Sequence, residues 1–221
     1  MARRWVAHPA FPFVAPFAAF MAFLALEGPL GRIPLYPVKT ACVLALVAWL
    51  WRRLPGFRLK APAGSIGVGV AVFFLWVGLD PFLPWLDGTR LTFPPRAGGI
   101  DPSAIAPPAL SWAWVAVRIL GGAIAVPVAE ELFWRGWLMR WLIREDFTKL
   151  QIGAWQPKAF AITTVAFALV HPQVFVALLA GAIYGWWVVR TKSLWDVVLA
   201  HGVTNLILYV WVVATGNWYF W

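Results

Sequence analysis

Residues 111–139 read SWAWVAVRILGGAIAVPVAEELFWRGWLM, an apolar run interrupted by Arg118, Glu130, Glu131 and Arg135. A segment that crosses a bilayer needs roughly 20 mostly apolar residues, and this one qualifies. Working outward, comparable runs lie near 10–27, 37–51, 64–79, 158–172, 173–189 and 194–214, two of them short for a span. The pattern predicts an all-α fold, a polytopic transmembrane helical bundle of about 7 (6–8) spans. It is read as a single transmembrane domain over 1–221, with a motif-bearing core over about 111–214. The fifth and sixth runs are divided only by His171-Pro172. Proline disfavours helix at the residue before it, so either a break or one bent element belongs there.

Composition agrees. The chain is 62% hydrophobic and 12% charged, whereas a soluble domain is about half apolar and a quarter charged. A chain this apolar cannot cover its surface in water, so the bilayer is its solvent. The 17 Trp and 16 Phe suit membrane interfaces. No cleavable signal peptide is expected, because the first apolar run is long and lacks a small-residue cleavage site. Cys42 is the lone cysteine. It excludes an intrachain disulfide and a thiolate cluster, and reads as a small core residue.

The net charge of +9 is not a nucleic-acid signal. The basic residues cluster between apolar runs, where membrane topology puts them. Arg3, Arg4, Arg52, Arg53, Arg58, Lys60, Arg140, Arg144, Lys149, Lys158, Arg190 and Lys192 fall on one side of a seven-span arrangement. Arg32, Lys39, Arg90 and Arg96 fall on the other, and Arg118 and Arg135 lie within spans. This asymmetry predicts an integral membrane protein with a cytoplasmic N-terminus and its C-terminus outside. Residues 80–110, rich in Pro and Gly and carrying Asp80, Asp87, Arg90, Arg96 and Asp101, read as an outer connector. Gly181 with Gly185, and Gly64 with Gly67, read as places where helices approach closely.

Ionisable groups in the bilayer cost roughly 2.5–3.5 kcal/mol each, so they persist when paired, solvated or functional. Three clusters stand out. In the first, Glu131 and Arg135 are four apart and share a helix face, so they pair. Glu130 is rotated by about 100° from Glu131, which leaves one carboxylate over for other work, such as a general base. The second is FALVH at 167–171. The third is HGVTN at 201–205, where His201 and Asn205 project from one face and can donate to a developing oxyanion. At about 1.5 Å rise per residue, Glu130 lies roughly 15 Å below Arg140, His201 roughly 14 Å from Lys192 and His171 roughly 20 Å from Lys158. The three clusters therefore meet at similar depth, and the basic side is the expected route of access. Singly, each reads as well as a structural staple. Together, on three helices, they favour a site. Other polar groups are assigned no chemistry. Asp196 caps the last helix from Ser193, His8 is solvated, Arg118 snorkels outward and Glu27 is interfacial.

These motifs resemble those of the CPBP membrane proteases, the family that includes Rce1-type CAAX prenyl endopeptidases and bacteriocin-processing enzymes. Glu-Glu-x-x-x-Arg, Phe-x-x-x-His and His-x-x-x-Asn occur here in that order without substitution, over about residues 115–210. FMAFLALE near the start, with RTKSLWDVVLAH and ATGNWYFW at the end, is similar to a bacterial subgroup associated with exosortase and PEP-CTERM sorting. The resemblance implies an intramembrane endopeptidase in which Glu130 and His171 activate a water. His201 and Asn205 would stabilise the oxyanion, and Glu131 and Arg135 would support the site. It implies a glutamate-dependent mechanism with no cofactor and no metal, and a membrane-associated peptide or protein as substrate. Since bacteria do not generally prenylate protein C-termini, the CAAX name does not carry over as an activity.

Three other readings stay open. Two His and one Glu are a zinc ligand set with one position open, although no His-Glu-x-x-His helix is present. A catalytically silent scaffold or partner-binding protein of a sorting system would use the cluster as a structural network. A transporter fits least, since no repeat is visible.

Overall fold

The computed structural model describes residues 2–83, 85–86, 91–92, 99–105 and 107–221. Eight helices dominate the described residues: α1 (Ala2–Ala7), α2 (Phe11–Leu30), α3 (Arg32–Leu50), α4 (Pro62–Leu79), α5 (Pro108–Trp141), α6 (Pro157–Leu169), α7 (Val174–Thr191) and α8 (Leu194–Thr215). Helices α4, α5 and α6 open on proline, whose missing N–H is no loss in a first turn. Five segments are long and apolar enough to cross a membrane: Ile33–Arg53, Pro62–Phe82, Pro108–Trp141, Val174–Thr191 and Leu194–Thr215. Phe11–Glu27 and Pro157–Leu169 are shorter apolar helices. The protein is an integral membrane protein, and the expected all-helical bundle is observed. Its one addition is a two-residue hairpin, β1 (Trp85–Leu86) against β2 (Leu91–Thr92). Asp87, Arg90 and Arg96 of the expected outer connector lie outside the described residues.

Helix α6 is the informative exception. Its 13 residues rise about 20 Å, short of the roughly 30 Å hydrocarbon core. The break at His171-Pro172 is complete, and α6 and α7 form a tightly packed hairpin whose turn, residues 170–173, lines a cavity. Gly181 and Gly185 make this possible. A Cβ on Gly181 would stand 2.9 Å from the Phe167 ring, and one on Gly185 would stand 2.6 Å from the Phe160 ring. Irregular backbone at such depth is tolerated where it is buried in protein or lines a cavity.

Helix α5 carries a second irregularity. Two wide, π-type stretches, Gly121–Ala125 and Leu132–Leu138, flank the segment that holds Glu130 and Glu131. Pro127 lacks an N–H and its ring crowds the carbonyl four residues back, so the turn before it widens. Widened turns of this kind recur at functional sites. The Glu131–Arg135 pair survives the widening, at 2.9 Å.

Helix α8 runs beside α4. Gly69 is the close-approach glycine here, since its Cβ would meet the Ala200 carbonyl at 2.5 Å, whereas Gly67 faces open space. Gly67 is therefore not the contact expected from its spacing with Gly64. Ser193 caps α8 by accepting from the Asp196 amide at 3.2 Å. The Asp196 carboxylate then accepts from the Lys60 and Ala61 amides, both at 2.7 Å, and from Ser65 at 3.0 Å. The start of α4 is thereby tied to the start of α8 at the basic end.

Further expectations need correcting. Cys42 is exposed on α3 rather than in the core; apolar runs conceal which face meets lipid. Helix α3 begins at Arg32, so Lys39 lies within it and is 4% exposed. Glu27, expected at the interface, holds Lys39 at 2.5 Å. Arg118 does not snorkel outward and is 9% exposed. For Lys39 and Arg118, an acidic or aromatic neighbour on another helix supplies a partner that a single helix does not reveal.

Candidate active site

A cavity of about 320 Å³ opens inside the bundle and is lined by Glu130, His171, His201 and Asn205 together. Two helices and one turn converge on it. Glu130 comes from the regular segment of α5 between the two widened stretches, His171 from the turn after α6, and His201 and Asn205 from α8. Glu131 and Arg135 sit behind it, at 0% and 1% exposure.

The two adjacent glutamates have different partners. Glu131 Oε1 accepts from Arg135 Nη1 at 2.9 Å and from His201 Nδ1 at 2.9 Å. Arg135 also donates through Nη2 to the Gly181 carbonyl at 2.9 Å, and its guanidinium lies over the Phe167 ring. The glycine contact between α6 and α7 therefore leaves a carbonyl within reach of Arg135. Because Glu131 occupies Nδ1, His201 presents Nε2 to the cavity. Its ring stacks on Tyr184 at 4.9 Å, and the Tyr184 hydroxyl donates to Thr204 at 2.7 Å. Thr204 in turn lies within hydrogen-bonding distance of the Gly69 carbonyl, at 2.8 Å.

Glu130 is paired differently. Its Oε2 is buried and has no hydrogen-bond partner among the described residues, and His171 Nε2 lies 4.0 Å away. The facing nitrogen is set by local structure. His171 Nδ1 donates to the Phe167 carbonyl at 2.7 Å, which caps the end of α6 and accounts for the four-residue spacing of Phe167 and His171. A proton held on Nδ1 leaves the neutral ring with its lone pair on Nε2, aimed at Glu130. A gap of 4.0 Å is too long for a direct hydrogen bond.

Asn205 has a partner that sequence reasoning missed. Its side-chain amide donates to the Gly122 carbonyl at 2.9 Å. That carbonyl belongs to the widened stretch before Pro127, where the regular ladder is disturbed. The second amide hydrogen is available to the cavity.

Residues 112–207 match the family described as Type II CAAX prenyl endopeptidase Rce1-like. Over that stretch, a little under half of its length, the chain is similar to this Rce1-like protease family. No curated protein and no solved structure matches it. The matched segment carries all six residues singled out above. Among the described residues, no three His, Cys, Asp or Glu side chains are grouped so as to hold a metal ion.

The cavity extends in a direction that the sequence did not suggest. From Glu130 its lining runs to Glu27, Tyr36, Lys39, Arg118, Tyr209 and Trp221. This is the end opposite Arg140, Lys149 and Lys192. Access from the basic side was expected from depth alone. That side is filled by Phe13, Trp134, Met139 and Phe147, all buried.

Proposed function

We propose that this chain is an intramembrane endopeptidase that hydrolyses a peptide bond of a membrane-associated protein or peptide through a water held between Glu130 and His171. One observation carries the reading: a buried carboxylate oxygen of Glu130, without a hydrogen-bond partner among the described residues, stands 4.0 Å from Nε2 of His171. The water gives a proton to Glu130 and its oxygen attacks the carbonyl carbon. The negative charge that builds on the carbonyl oxygen is met by His201 Nε2, in its imidazolium form, and by the free amide hydrogen of Asn205. The C–N bond then breaks, and the amine leaves with the proton that Glu130 held. Glu131 and Arg135 act on His201, holding its ring so that Nε2 faces the cavity.

The basic loops support a cytoplasmic N-terminus in a bacterial inner membrane. With that orientation the cavity faces the outer half of the bilayer. The terminal segments FMAFLALE and ATGNWYFW support placement with the exosortase-associated subgroup. A structural-network reading draws on the Asn205–Gly122 bond. The two separate on one experiment. Detergent-purified protein and Glu130→Gln are each incubated with native membranes, and new peptide termini are sought by mass spectrometry. Termini made only by the unsubstituted chain establish the peptidase. Identical patterns from two well-folded proteins leave the scaffold reading.

A further inference from the structure

The far end of the cavity holds a cation that pairs with no anion among the described residues. Arg118 lines the cavity and is 9% exposed. Its guanidinium lies over the rings of Tyr36 at 4.7 Å, Trp221 at 5.4 Å, Trp114 at 5.5 Å and Tyr209 at 5.8 Å. Among the described residues its side chain makes no hydrogen bond and no ion pair, and its Nε is buried without an acceptor. The cage is itself braced, since the Tyr36 hydroxyl donates to the Arg118 carbonyl at 3.1 Å. The other charges lining this end, Glu27 and Lys39, hold each other at 2.5 Å.

Aromatic faces offset part of the burial cost of a guanidinium but accept none of its five N–H donors in the plane of the fork. A planar oxyanion does. Arg118 precedes Glu130 by twelve positions on one helix, an axial distance of about 18 Å. An extended peptide covers that distance with about five residues.

We propose that Arg118 is a specificity-determining residue, whose guanidinium receives a carboxylate of the substrate peptide about five residues from the bond that Glu130 attacks. The inference rests on the peptidase reading of the same cavity, and its test reads binding so that the two can fail separately.

The full chain carrying Glu130→Gln, to stop turnover, is placed in nanodiscs of phosphatidylcholine. Three dansylated decapeptides of Leu and Ala are titrated: one with a free C-terminus, its C-terminal amide, and the amide with Asp as its last residue. Energy transfer from tryptophan reports binding, since Trp114 and Trp221 stand in the cage. The free acid binds about tenfold tighter than the plain amide, and Arg118→Gln removes the difference while Arg118→Lys keeps part of it. Tight binding of the Asp amide as well assigns the site to any peptide carboxylate. Tight binding of the free acid alone assigns it to the chain terminus. Equal binding of acid and amide when Arg118 is present overturns the proposal, as does a preference that survives Arg118→Gln. Loss of the preference on adding phosphatidylglycerol, seen only with Arg118 present, gives the site to a lipid phosphate and also overturns it. If the acid preference holds but no native membrane protein is cut, the peptidase reading fails while the carboxylate site stands.

Discussion

Glu130 and Glu131 are neighbours on one helix, equally acidic and both buried, yet they occupy opposite situations. Glu131 is held by a guanidinium and an imidazole within 2.9 Å, while Glu130 presents an unpartnered oxygen across 4.0 Å to His171. A paired buried carboxylate contributes order and stability. An unpartnered one costs free energy and is retained where something else binds it. The difference arises from helical rotation alone, which sends adjacent side chains about 100° apart. Substitutions that treat the two alike should therefore give opposite results. Glu130→Gln should lower turnover by about 10²–10⁴-fold, the range for a lost general base, with little change in the unfolding midpoint. A large fall in that midpoint, measured in detergent, would mean that Glu130 is structural after all.

The second largest effect belongs to Glu131. Removing it as Glu131→Ala leaves Arg135 buried without its carboxylate, which should destabilise the fold by about 3–5 kcal/mol. The double variant Glu131→Leu with Arg135→Leu should recover much of that loss without recovering activity, because His201 loses the group that orients it. Unfolding titrations of the single and double variants measure both. Recovery of activity with stability would assign Glu131 no role at His201.

Asn205→Ala comes third. As an oxyanion donor Asn205 contributes about 10²–10³-fold in turnover, and its loss also leaves the Gly122 carbonyl without a donor. A fall in activity without a change in substrate binding supports the first role. A fall in the unfolding midpoint alone would assign Asn205 to the helix wall.

The pairing of Glu131 with Arg135 and the leftover Glu130 were both legible in the sequence, because a four-residue spacing on a helix needs no tertiary knowledge. So was the break at His171-Pro172, although its completeness was not, since proline disfavours helix without saying where the chain goes next. The widened turns of α5 were hidden. Gly121, Gly122 and Pro127 are permissive signals, and the carbonyl that Asn205 serves becomes visible only when α8 is laid against α5. Arg118 was misread for the same reason: its four rings come from α3, α5, α8 and the C-terminal segment. The direction of the cavity was also misread. Depth along a helix follows from counting residues, but access depends on which end is packed with Phe13, Trp134 and Phe147.

The smallest effect tests how far the ordered side of the site extends. His201 is held at Nδ1 by Glu131 and stacked on Tyr184, whose hydroxyl is fixed by Thr204. Thr204→Val leaves that hydroxyl buried without an acceptor, a cost of about 1–3 kcal/mol. Tyr184→Phe with Thr204→Val removes both hydroxyls and should cost less than the single change, because no hydroxyl is left without an acceptor, though the contact of Thr204 with the Gly69 carbonyl is lost. The stacking ring remains in both cases. If the double variant keeps turnover, the Glu131 carboxylate alone suffices to aim Nε2, and the tyrosine only fills space. If turnover falls although the fold is as stable as before, the ring needs its hydroxyl anchored to hold the imidazole in line. The ordered half of the comparison would then reach from Arg135 through His201 to the Gly69 carbonyl on α4.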